Sequence, residues 1–247
     1  MRNSVSKFKE LGFLSDQMQE SKASNQIQYV QDFAVIHELC KKSMAEIQEL
    51  PNGEIHYGHL LGRSFWWRCM ENCQGSIILI DLGMATSAMS TIRSAWENLF
   101  YACALWRDPT LVDKVYQKDK FELAKQIAQI QKYSWSELSD QSKSTLLSML
   151  PVGNIKDTGL SVFEAAKNAE LLDFYCISYR GLSLTGAHST AVSAFRALPE
   201  SERGGHDFIV GPEFKSTKPL LANIHMCLTT GGKRLIEFIE SSIQNRI

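Results

Sequence analysis

Arg93 and Glu97 stand four residues apart, and Tyr179, Arg180, Ser183 and His188 fall within ten consecutive positions. A guanidinium can grip phosphate or carboxylate oxygens, and an imidazole can carry a proton near neutral pH. A phenol, a hydroxyl and a carboxylate can orient either one. These are the groups needed to hold an anionic ligand or to move a proton at a phosphate ester. Helix geometry decides which of them can meet. Positions i and i+4 share a face, so Arg93 can pair with Glu97, and Tyr179 lies about 40° from Ser183. Arg180 and His188 come out about 80° apart, and Ser183 and His188 about 140° apart in an unbroken helix. Gly186 can end or bend that helix, with Ser189 or Thr190 capping the next one, and His188 then swings toward Tyr179 and Ser183. The same glycine equally suits a close contact between helices. The expectation is a bent helix that presents His188 beside Arg93 and Glu97.

Elements that position these residues follow from periodicity. Apolar residues recur at helical spacing along most of the chain, and strand alternation is nearly absent, 207–210 being one short candidate. Helices are predicted over 5–19, 26–50, 56–73, 75–106, 109–133, 136–150, 161–184, 188–198 and 219–243. In the second of these, Val30, Phe33, His37, Cys40, Met44 and Ile47 form one stripe, with His37 its polar member and read as a satisfied core residue. The segment 75–106 is small or apolar almost all round, the mark of a buried helix, so Arg93 and Glu97 must be an internal salt bridge or a polar site. The reading is an all-α, single-domain multi-helix bundle. Residues 1–74 supply N-terminal helices, 75–198 the motif-bearing core, 199–218 a loop rich in glycine and proline, and 219–247 a C-terminal helix.

Composition narrows the partners. With 247 residues, 44% hydrophobic and 21% charged, the chain has the balance of a globular protein, and its 6 prolines leave room for long helices. A formal net charge of −1 gives no global attraction to nucleic acid. The most apolar run, Ile77 to Ile80, meets Asp81 at once, too short for a membrane span. The N-terminal MRNSVSKFKE holds no hydrophobic signal region. A cytoplasmic protein away from membranes is expected. The 6 cysteines are scattered and read as small buried thiols. Cys69 and Cys73 lack a second pair at zinc spacing, and Glu54, His56 and His59 lack a further acidic partner, so no metal and no cofactor are expected. Arg63, Trp66, Trp67 and Arg68 mix cations with aromatics and are read as packing or a partner contact. No phosphate-binding glycine loop and no nucleophile elbow occurs.

The pairing of Arg-x-x-x-Glu (Arg93, Glu97) with a later Tyr-x-x-x-Ser-x-x-x-x-His (Tyr179, Ser183, His188) resembles a widespread group of helical bacterial proteins classed only as a domain of unknown function. That group is in turn similar to the HEPN superfamily of all-α nucleotide-binding and ribonuclease domains. The resemblance covers about 75–198 and implies a HEPN-like core. Ribonucleases of that superfamily set an arginine a few residues before a histidine at a dimer interface, cut RNA without metal, and serve as toxins and in phage defence. Here Arg180 has seven residues between it and His188, a wider gap. The resemblance implies RNA as substrate, a homodimer and a regulatory protein partner. It also implies His188 as general acid or base, Arg180 or Arg93 on the phosphorane charge, Glu97 as their orienter, and Tyr179 and Ser183 on the phosphate or ribose. The alternative is a non-catalytic helical module that binds a nucleotide, small ligand or protein partner through the same polar pocket.

Overall fold

The computed structural model describes residues 11–48, 56–150, 156–187, 190–195 and 211–244. Among these there is no strand, and the fold is an all-α multi-helix one. The helices are α1 (Gln17–Gln28), α2 (Val30–Gln48), α3 (Tyr57–Asp81), α4 (Ala85–Arg107), α5 (Val112–Tyr133), α6 (Asp140–Ser148), α7 (Val162–Asn168), α8 (172–187), α9 (Ala191–Phe195) and α10 (Thr217–Gln244). Short 3₁₀ turns at Gly12–Leu14, Pro109–Leu111 and Trp135–Glu137 join some of them.

Helix α4 is the axis of the molecule. Ile92, Ala95, Trp96, Leu99, Phe100, Ala102, Ala104 and Leu105 are fully buried along it, as a helix apolar all round must be. It packs most extensively against α3, and α7, α8 and α10 cover its remaining faces. The turn between α3 and α4 falls at Leu82–Met84, not near residue 74. Gly83 takes φ +71°, the left-handed region that reverses the chain cheaply only at glycine. Gly75, by contrast, continues the helix with open space where a Cβ would stand. The run Ile77–Asp81 therefore closes α3. Asp81 is buried there and accepts from Gln26 Nε2 at 2.8 Å and pairs with Lys22 at 3.2 Å.

Other boundaries shift for local reasons. The predicted helix over 26–50 starts at Val30, because α1 occupies 17–28 and the two meet at Tyr29. In α2, Phe33 and Ile36 face the core, whereas His37 is exposed and rests against Phe33 with ring centroids 6.3 Å apart. His37 is thus no core residue. The helix predicted over 161–184 is broken at Ala169–Leu171, where Glu170 takes φ 56°. Helix α10 runs unbroken through Gly231 and Gly232. The expected strand at 207–210 lies outside the described residues, as does the expected loop up to residue 210.

Candidate functional site

Arg93 and Glu97 project from one face of α4 toward α8, and the reason α8 meets them is its winding. Residues Tyr175–Tyr179 and Ser183–Ala187 are π-helical turns around a short α-helical stretch at Arg180–Leu182. Such turns are rare and recur at functional sites. They bring Tyr179 and Ser183 onto Arg93. The Arg93 Nε–H donates to Ser183 Oγ at 2.8 Å, and Arg93 Nη2 donates to the Tyr179 hydroxyl. The guanidinium carbon also lies 4.5 Å from the Tyr179 ring centroid. The Tyr179 hydroxyl in turn donates to Glu97 Oε2 at 3.2 Å, and Arg93 Nη1 stands 3.5 Å from that same oxygen. Ser183 is itself fixed by donating to the Tyr179 carbonyl at 2.8 Å.

The cluster is neither sealed nor open. Tyr179 is buried, while the side chains of Arg93 and Glu97 keep 22% and 35% of their exposure. Burial, and then the charge of Glu97, push the Tyr179 phenol up to about 12. It is therefore a fixed donor at neutral pH and not a nucleophile. Two of the five N–H groups of the guanidinium are thus engaged in hydrogen bonds, and Nη1 faces the Glu97 carboxylate.

Glu97 also belongs to a second feature. A cleft of about 770 Å³ runs between α3, α4, α5 and the start of α7. Phe65 and Tyr101 stack across part of its wall with centroids 5.2 Å apart, and Tyr101 donates to the Leu160 carbonyl at 2.9 Å. Burial first, then Glu97, hold the Tyr101 phenol well above its ordinary range. Arg68, Lys118, Asp119 and Glu122 bring charges of both signs to the rim, with Lys118 held by Asp157 at 3.0 Å and by Glu122 at 3.1 Å. Reading the sequence missed this cleft. Its walls come from four separate segments, and the one signal available was that α4 carries Tyr101 one turn after Glu97.

Of the residues singled out from the sequence, Arg93, Glu97, Tyr179 and Ser183 come together. Arg180 is exposed and takes no part in these bonds. His188 lies outside the described residues. Gly186 sits inside the second π-helical turn, which ends at Ala187; a Cβ there would stand 2.4 Å from Met89 Cβ, and its carbonyl accepts from Ser90 Oγ at 3.1 Å. It is a close helix contact. Thr190 does cap α9, its hydroxyl accepting from the Ser193 N–H at 3.0 Å. His56 is the cap of α3, its Nδ1 accepting from Gly58 N–H at 3.1 Å, and His59 packs on the Phe238 ring at 4.8 Å. Trp66 is core, while Trp67 and Arg68 are exposed. No described helix is long and apolar enough to cross a membrane.

No curated protein and no solved structure matches the chain. Residues 59–206, which span α3 to beyond α9 and include all six residues singled out, match a family of unknown function, DUF5677. That stretch is more than half of the chain, and the protein belongs to this family.

Proposed function

We propose that this chain is a helical binding module whose cleft takes a nucleotide. The observation that carries the reading is the double role of Glu97. It ends the Arg93–Tyr179–Ser183 network and also lines the cleft, so the network holds one wall group in a single orientation. Ligand pockets combine apolar and aromatic walls with a few fixed polar groups, and this cleft has that make-up. Phe65, Tyr101 and Tyr116 offer surface for a planar base. Glu97 and Asp119 offer acceptors for amino or ribose hydroxyl groups, and Arg68 offers a partner for phosphate. The test is thermal unfolding of the purified chain with a panel of nucleoside mono-, di- and triphosphates. A ligand at 100 times its Kd raises stability by about 2.7 kcal/mol. One class should raise Tm in the wild type and lose its effect in Ser64→Leu, which fills the cleft. No shift with any nucleotide would end this reading.

A second reading is a metal-independent ribonuclease of HEPN-like type, a toxin or phage-defence effector acting as a homodimer under a regulatory partner. Its support is that Arg93 is held by three partners, with Ser183 only five residues before His188. In that chemistry the RNA 2′-hydroxyl attacks the adjacent phosphate, the bond from phosphorus to the 5′-oxygen of the next nucleotide breaks, and the 2′-hydroxyl proton is balanced by one delivered to that 5′-oxygen. His188 carries the proton, and Arg93 or Arg180 meets the phosphorane charge. Cleavage of mixed RNA in excess EDTA, leaving 2′,3′-cyclic phosphate ends, should be lost in His188→Ala and in Arg93→Ala. Absence of cleavage by a folded dimer returns the weight to binding alone.

A further inference from the structure

Cys69 and Cys73 lie one turn apart on α3, and Cys227 meets them from α10. All three are fully buried, and their sulfurs lie within 4.8 Å of one another, with Cys69 and Cys227 Sγ at 3.6 Å. Packing explains why the helices bring them so close. Gly231 stands one turn beyond Cys227, and a Cβ there would be 2.1 Å from the Trp66 ring. Trp66 precedes Cys69 on α3, so the two helices run antiparallel in contact, and the thiols fill the next layer. Burial holds the Cys69 and Cys227 thiols up, while their hydrogen bonds pull Cys73 down.

We propose that Cys69, Cys73 and Cys227 form a site for one thiophilic divalent metal ion of the zinc or cadmium type. Geometry supports it. Thiolate bonds to zinc are about 2.3 Å, which sets the sulfurs of a tetrahedral site about 3.8 Å apart. The Cys69–Cys227 pair already stands near that separation, and the third sulfur has to close by about 1 Å at most. Sulfur binds as thiolate, so a metal displaces protons. The site has no opening for a substrate, so the ion is structural: it ties α3 to α10 across 158 residues of chain. The spacing rule that speaks against zinc considers only a neighbouring cysteine pair; the third ligand here comes from the far end of the sequence.

The test is addition of cadmium(II) alone to the reduced, metal-stripped full chain during refolding. The expected result is a sulfur-to-cadmium charge-transfer band that saturates at one equivalent, with a rise in Tm. Both are lost in Cys73→Ala and Cys227→Ala and kept in Cys176→Ala, whose thiol is exposed. Should the core variants fail to fold, alkylation of the wild type with mass mapping decides. In denaturant sufficient to label Cys69, Cys73 and Cys227 in the metal-free chain, cadmium must then protect those three and leave Cys176 reactive. No band at one equivalent overturns the proposal, as does a band that disappears with Cys176→Ala. So does a Cys69–Cys227 disulfide in the purified chain whose reduced form takes up no metal.

Discussion

Glu97 is the residue on which the polar cluster turns, because it accepts from Tyr179 and faces Arg93 at once. Glu97→Ala removes the acceptor and leaves the guanidinium without its counter-charge. Since Arg93 and Glu97 are partly exposed, the expected loss is about 1–2 kcal/mol and not that of a sealed pair. Glu97→Gln keeps an acceptor for the phenol and should lose less; urea denaturation of both variants measures the difference. Tyr179 makes a separate prediction in pH. Its folded-state value of about 12 lies above the ordinary 10.0, so the unfolded chain gives up this proton first as pH rises. The stability tied to the protonated phenol is complete below about pH 10 and declines toward about pH 12. Tyr179→Phe should flatten the fall of unfolding free energy across that window; an unchanged slope would assign it to other groups.

Glycine marks the elements in two opposite ways. At Gly231 a methyl group would drive into the Trp66 ring, and Gly231→Ala should cost about 1–3 kcal/mol through overpacking. At Gly75 nothing lies within 4 Å of the Cβ position, so Gly75→Ala should stabilise α3 by about 0.5–1 kcal/mol. Chemical denaturation of the two variants should move their midpoints in opposite directions. The pair also explains why the α3–α4 boundary was illegible. A glycine inside a helix and a glycine at a turn read alike in sequence, and what separates them is whether the backbone there takes positive φ. The π-helical turns of α8 were hidden for a similar reason: an i→i+5 bond is a response to packing on α4 that local residue preference does not encode.

At the scale of the molecule, the first and last described helices are joined by one buried amide. Asn25 on α1 donates to the Ile80 carbonyl at 3.2 Å and accepts from the Thr217 hydroxyl at 3.0 Å. It thus ties α1 to the end of α3 and the start of α10. Asn25→Ala takes the partner from the buried Thr217 hydroxyl, while the Ile80 carbonyl keeps the Gly83 N–H at 2.9 Å, and the expected loss is about 1–2 kcal/mol. Thermal unfolding checks the magnitude. Proteolysis of the native variant checks the place, since α1 should become the first segment cut.

The sequence by itself determined that the molecule is all-α, because helical periodicity and scarce proline leave no other use for so much apolar surface. It also determined that Arg93 can face Glu97, because i and i+4 share a face whatever the tertiary fold. The burial of α4 was readable for the same reason: a helix apolar all round has no face for solvent. Tertiary structure alone decided that Arg93 is held by Tyr179 and Ser183 some ninety residues on, that Glu97 borders a cleft, and that Cys227 meets Cys69 and Cys73. Each of these depends on how two helices distant in sequence cross, and that crossing is set by small residues and bulky rings meeting across the interface, which no local pattern records.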